Sequence, residues 1–191
     1  MRMKRLNKKG FTLVEVLAML VVLGIIIGVT VPNVTGILSN QKTNLIAEDG
    51  IKMIENAKNE FIVSEKVKYP EDGKCVIFTL DRLDKNSDIE NGIEGGKYNK
   101  TKSFVTVKRV AKNYQYSVRL IEQLSNGKLY GISNASESSL NSETKKSFLG
   151  EIKEDYIVDF SSAKTLDDAK NALASDNVGG CTKDILTGFY N

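Results

Sequence analysis

Glu15 is the one charged side chain in an otherwise apolar stretch, FTLVEVLAMLVVLGIIIGVTV, residues 11–31. An ionised carboxyl group among aliphatic side chains is costly unless a cation or a donor meets it. Its presence points either to a specific partner or to a place near a membrane–water interface, where it can snorkel. Phe11 stands four residues before it, about one helical turn, and Gly10 precedes Phe11. A cut between Gly10 and Phe11 would give Phe11 a new α-amino group. A cation and the Glu15 carboxylate would then share one end of a helix. Two such helices, packed side by side with a small stagger, would bring the carboxylate of one to the amine of the next.

Other reactive groups are sparse. The chain has no His and no Trp. It therefore lacks the usual general base and the commonest zinc ligand. It has no Ser/His/Asp or Cys/His set and no phosphate-cradling glycine loop, so no enzyme activity and no cofactor are expected. Cys75 and Cys181 fit no CxxC or zinc spacing. Outside the cell, one disulfide closing a loop on the order of 100 residues would stabilise the fold by roughly 4–5 kcal/mol in the chain-entropy model. Two free buried thiols are the other reading. Asp84, Asn86, Asp88, Glu90 and Glu94 begin like an EF-hand loop. Ile89 stands where that loop needs Gly, and Gly95 where it needs Glu, so no metal site is assigned. The sequons at Asn99 and Asn134 are short patterns that chance supplies.

The elements that must position Glu15 follow from the apolar pattern. As a helix, the 21 residues from 11 to 31 span roughly 31 Å, about one hydrocarbon thickness. Residues 1–10 are basic and would stay in the cytoplasm. The stretch is longer than a secretory h-region and no A-x-A-like site follows it. Pro32 comes next and should bend the helix. Helical periodicity then resumes at Ile46, Gly50, Met53, Ile54, Ala57 and Phe61. One long, bent helix is expected from about Phe11 to about Val63, apolar all round at first and amphipathic later. Gly24 and Gly28 form a G-x-x-x-G pair that suits close helix contact.

Lys9-Gly10-Phe11-Thr12-Leu13-Val14-Glu15 resembles the class III signal sequence of type IV prepilins and pseudopilins. The resemblance covers roughly residues 1–65. It implies cleavage after Gly10 by a prepilin peptidase, N-methylation of Phe11, and use of Glu15 in subunit docking. It also implies that the segment from Gly24 through Gly28 to Pro32 can loosen when subunits pack. An assembly ATPase and a platform protein are the implied partners, with further copies of the chain and the membrane before assembly. Retention of Glu15 argues against the filament-tip subunit type that lacks this acid.

The expected architecture is α+β: the long helix packed on a small antiparallel sheet, pilin-like. The expected divisions are a leader over 1–10, a membrane or filament-core helix over 11–31, its amphipathic continuation over 32–65 and a globular head over 66–191. Cys75–Phe78 reads as a short apolar run, and Leu80 and Leu83 as one face of a small helix. Alternation predicts strands over Ser103–Val110, Tyr114–Ile121 and Lys128–Ile132, with turns at Ala111-Lys112-Asn113 and Asn126-Gly127. Asp84–Lys102 and the serine-rich Ser133–Ser142 read as loops, and Tyr156–Phe160 as a fourth strand. Thr165 and Asp168 form a capping pattern ahead of a helix to Ala174.

Charge adds one exclusion. Residues 1–10 hold five of the 27 basic residues and none of the 24 acidic ones, so the remainder carries −2. Bulk charge gives no reason to expect nucleic-acid binding. Two functions stay open: the structural subunit of a type IV pilus or related filament, or a single-span anchored ectodomain that binds a ligand and does not polymerise.

Overall fold

The computed structural model describes residues 10–84, 89, 91–142, 148–153, 157–173 and 177–191, with only the backbone described over 29–39. The chain divides after Gln41 into two compact units. Helix α1, Leu13–Val63, runs through the division. The bend expected at Pro32 falls within 29–39, outside the described side chains.

In the first unit every described side chain of α1, from Leu13 to Gly28, is exposed. The helix is apolar on all sides. Among the described residues no helix is long and apolar enough to cross a membrane. The span expected over 11–31 is therefore not found there. Its described part stops at Gly28, and 29–31 lie outside the described side chains.

Among the described residues the second unit is built on a seven-stranded sheet. Its strands are β1 (Cys75–Thr79), β2 (Lys97–Tyr98), β3 (Phe104–Val110), β4 (Asn113–Gln123), β5 (Leu129–Ser136), β6 (Leu149–Ile152) and β7 (Leu186–Tyr190). They lie in the order β6-β5-β4-β3-β1-β7, with β2 pairing β4 beyond the start of β3. The sheet is mixed, which corrects the antiparallel expectation: β7 runs parallel to β1. A parallel partner needs a long crossover, and a C-terminal strand of this kind leaves no hairpin signal. The five residues of β1 are all buried, since the strand is central and covered on both faces.

One face of the sheet receives α1. Ile46, Ala47, Met53, Ile54, Ala57 and Phe61 are buried against Val105, Val107, Val118, Leu120 and Ile132. Approach is close at Gly50. A Cβ there would lie 2.8 Å from Ile132 Cδ1 and 3.3 Å from Leu140 Cδ1. Ion pairs tie the helix's polar flank to the head: Arg82 binds Glu60 through Nε and Nη2 at 3.0 and 2.7 Å, and Lys42 meets Glu94 at 2.7 Å. The other face carries a second core. Phe160, Ala163, Val178 and helix α4 (Leu166–Leu173) pack there on Ile77 and Phe104 around Cys75 and Cys181. Asp159 fastens this covering. Burial would raise its pKa, but hydrogen bonds from the Ser161 N–H and the Thr101 hydroxyl outweigh it and hold it below the usual range.

Several local expectations match. Leu80 and Leu83 are buried in the short helix α2 (Leu80–Leu83). Thr165 and Asp168 make a reciprocal cap, Asp168 N–H to Thr165 Oγ1 at 3.2 Å and Thr165 N–H to Asp168 Oδ2 at 3.0 Å. The β3–β4 turn is tighter than expected. Only Ala111 and Lys112 separate the strands, and Ala111 sits in the left-handed region at φ 55°. Others are corrected. Ser133–Ser136 continue β5, and Glu137–Leu140 form helix α3, capped by Ser136. The serines read as loop because their hydroxyls serve equally as strand surface and as cap. Asp84–Lys102 contains β2. Residues 157–160 are not a strand, and Tyr156 lies outside the described residues. Their apolar side chains cover the sheet rather than join it.

Candidate functional site

The residues singled out by the sequence sit at the start of α1. Gly10 is exposed with no atom within 4 Å of an ideal Cβ, and Phe11 is 75% exposed. Both residues of the Gly10–Phe11 peptide bond are exposed. Thr12 precedes the first helical residue. Its N–H and its hydroxyl both donate to Glu15 Oε2 at 2.9 Å. The Glu15 N–H donates back to Thr12 Oγ1 at 3.3 Å. This reciprocal arrangement satisfies two of the orphan N–H groups that begin a helix. Glu15 thus has a structural task within its own chain, and Thr12 is the functional neighbour that sequence reasoning passed over. The signal was present: Thr, two residues, Glu, then an apolar run.

Downstream of this cap, Leu13, Val14, Leu17, Leu20, Leu23 and Ile27 are each more than half exposed. Gly24 and Gly28 have no atom within 4 Å of an ideal Cβ. Pro32 lies among the side chains not described. An isolated helix with aliphatic residues on every side cannot remain in water; it requires lipid or other helices.

The other sequence-predicted positions lie in the second unit. Cys75 and Cys181 are joined in a disulfide with a Cα–Cα distance of 5.9 Å, both fully buried. Asp84 is paired with Lys100 at 2.8 Å, and Glu94 with Lys42. Asn86, Asp88 and Glu90 lie outside the described residues. Among the described residues no group of three or more His, Cys, Asp or Glu could hold a metal ion. Asn99 uses its side-chain oxygen to accept from the N–H groups of Thr101 and Lys102. Asn134 is exposed on β5.

Residues 5–31 match the family described as the prokaryotic N-terminal methylation motif. No curated protein and no solved structure matches the chain. The matched segment contains the Gly10–Phe11 junction, the Thr12–Glu15 cap and the apolar run in one piece. Residues 5–31 of this chain thus carry a motif like the class III signal of type IV pilin-like proteins.

Proposed function

We propose that the chain is a structural subunit of a type IV pilus or related filament, held in the membrane by α1 until it is assembled outside the cell. The observation that carries this reading is the exposed apolar helix beginning directly after Gly10-Phe11 and holding Glu15 in its first turn. A prepilin peptidase cuts after Gly10 and methylates the new terminal amine of Phe11. The leader's five basic residues are removed with it. The helix then moves from lipid into a bundle of identical helices, exchanging one apolar environment for another.

Glu15 has the central role. Its carboxylate meets the Phe11 amine of a neighbouring subunit and cancels two charges that would otherwise be buried unpaired. Gly24, Gly28 and Pro32 give the helix a stretch that can loosen as subunits pack. A cytoplasmic assembly ATPase and a platform protein supply the work, since the chain carries no nucleotide-binding loop. Cys75–Cys181 holds the head together in the oxidising exterior.

The test is the N-terminal sequence and intact mass of the protein isolated from cells. A chain beginning at N-methylated Phe11 is the expected result. A chain still beginning at Met1, in cells that process other prepilins, would overturn the reading and leave an anchored ectodomain.

A further inference from the structure

Among the described residues Glu122, on β4, is the one charged residue that is fully buried. A carboxylate taken out of water is costly unless hydrogen bonds replace its hydration. Here the segment from Asn91 to Tyr98 supplies them. The Glu94 N–H donates to Glu122 Oε2 at 3.0 Å, and the Gly96 N–H donates to Oε1. Asn91 bridges back to Lys97, and the Gly92 N–H donates to the Gly96 carbonyl at 3.0 Å. The segment thus closes into a ring of backbone over the carboxylate. Its fit is close. A Cβ on Gly92 would lie 2.0 Å from Glu122 Cδ, and one on Gly96 would lie 2.2 Å from the Gln123 carbonyl oxygen. Gly95 takes φ 94°, a conformation open to glycine. Backbone N–H groups that converge on an anion form a nest. This nest is filled by a side chain of the chain's own sheet.

The same segment grips α1. Glu94 gives its N–H to Glu122 and places its own carboxylate 2.7 Å from Lys42 Nζ. Tyr98 stands opposite Glu122 in the β2–β4 ladder and donates its hydroxyl to Asp49 at 3.1 Å. Burial pushes the pKa of that hydroxyl up, so it stays a neutral donor. Lys42 and Asp49 are about two helical turns apart and so share one flank of α1. The Lys42–Glu94 pair is partly exposed and holds little by itself. Carried on one closed ring, the two ties act on the helix together.

We propose that Asn91–Tyr98 is a strap that holds the turns of α1 from Lys42 to Gly50 on the sheet, and that Glu122 is the positioning residue that keeps the strap closed. Glu122 acts through the ring it shapes, and the ring presents Glu94 and Tyr98 to the helix. Without the carboxylate the ring loses its template and the strap opens. The far end of the helix, packed through Ile54, Ala57 and Phe61, keeps its core. The inference is independent of filament assembly.

Two variants attack the contact from opposite sides. Glu122→Gln removes the charge and one acceptor oxygen, so one of the two N–H groups goes unmet. Gly92→Ala keeps the charge and wedges the ring away from it. Residue-resolved amide hydrogen exchange of the full chain in detergent micelles is the readout. Both variants are expected to speed exchange about tenfold or more at Glu94 and Gly96, and with them at Ile46, Ala47 and Gly50. Ile54, Ala57 and Phe61 should change by less than about twofold. In a Lys42→Met, Tyr98→Phe background both ties are already cut. Adding Glu122→Gln there should speed the ring amides and leave α1 as it is in that background. Faster exchange along the whole of α1 would make Glu122 a contributor to global stability alone and overturn the strap. So would a ring that opens in both single variants with α1 unchanged, or a ring whose exchange does not respond.

Discussion

At the scale of residues, Thr12 and Glu15 put two tasks on one carboxylate. Within the chain Glu15 caps the helix through Thr12. Between chains, on the proposed function, it neutralises an amine. Substitution can separate the tasks. Glu15→Gln keeps an acceptor that serves a capping box but removes the charge. It should leave leader cleavage intact while cutting incorporation into filaments by at least about tenfold, equivalent to about 1.4 kcal/mol of docking. Thr12→Ala does the reverse: it weakens the cap by about 1 kcal/mol and leaves the charge, so filaments should still form. Counting subunits in sheared filaments against those in membranes measures both. If Glu15→Gln assembles like the parent and Thr12→Ala does not, capping is the residue's real role. Gly10, Phe11 and Glu15 stand out in the sequence because an acid in an apolar run has few explanations. Thr12 was hidden behind it, since a hydroxyl at the start of an apolar helix carries no comparable cost.

At the scale of elements, the sequence revealed what repeats locally and concealed what depends on distance. The buried face of α1, the β3–β4 and β4–β5 hairpins and the Thr165–Asp168 cap were readable from spacing alone, because each is settled within about ten residues. β6 was missed because its four residues, Leu149–Ile152, include a Gly and a charge and alternate too briefly. β7 was missed because only the distant β1 makes it a strand. The packing of α1 on the sheet is where a local rule met tertiary demand. Gly50 is a poor helix former, yet it lies where α1 comes closest to Ile132, Leu140 and Val118. Gly50→Leu should lift the helix from the sheet and destabilise the head by roughly 1–3 kcal/mol through overpacking. The midpoint of denaturant unfolding, followed by tyrosine fluorescence, reads this directly. An unchanged or raised midpoint would mean the contact yields, and that Gly50 is not what sets the helix's approach.

At the scale of the whole molecule, the head is closed by its two ends. Among the described residues β1 is the first strand and β7 the last, and they lie side by side. Their parallel pairing gains nothing from local connection, since the crossover between them comprises most of the head. The disulfide acts at this point. Cys75 opens β1, and Cys181 lies just before β7, 106 residues away. The Cys75 N–H also donates to Ile185 at 2.9 Å, and the Thr187 hydroxyl to the Cys75 carbonyl at 3.2 Å. The cross-link therefore shortens the longest loop closure in the head, where the entropy removed from the unfolded chain is greatest. Replacing both cysteines with serine should lower the stability of the head by roughly 2–5 kcal/mol. The loss should appear first as faster amide exchange over β7 and the segments around Phe160 and α4, because these pack on the cross-linked side of the sheet. The α1 face should retain its protection to higher denaturant. If exchange rises equally on both faces, the head unfolds as one unit and the disulfide stabilises it only globally. If neither the midpoint nor exchange responds, packing of β7 alone closes the fold.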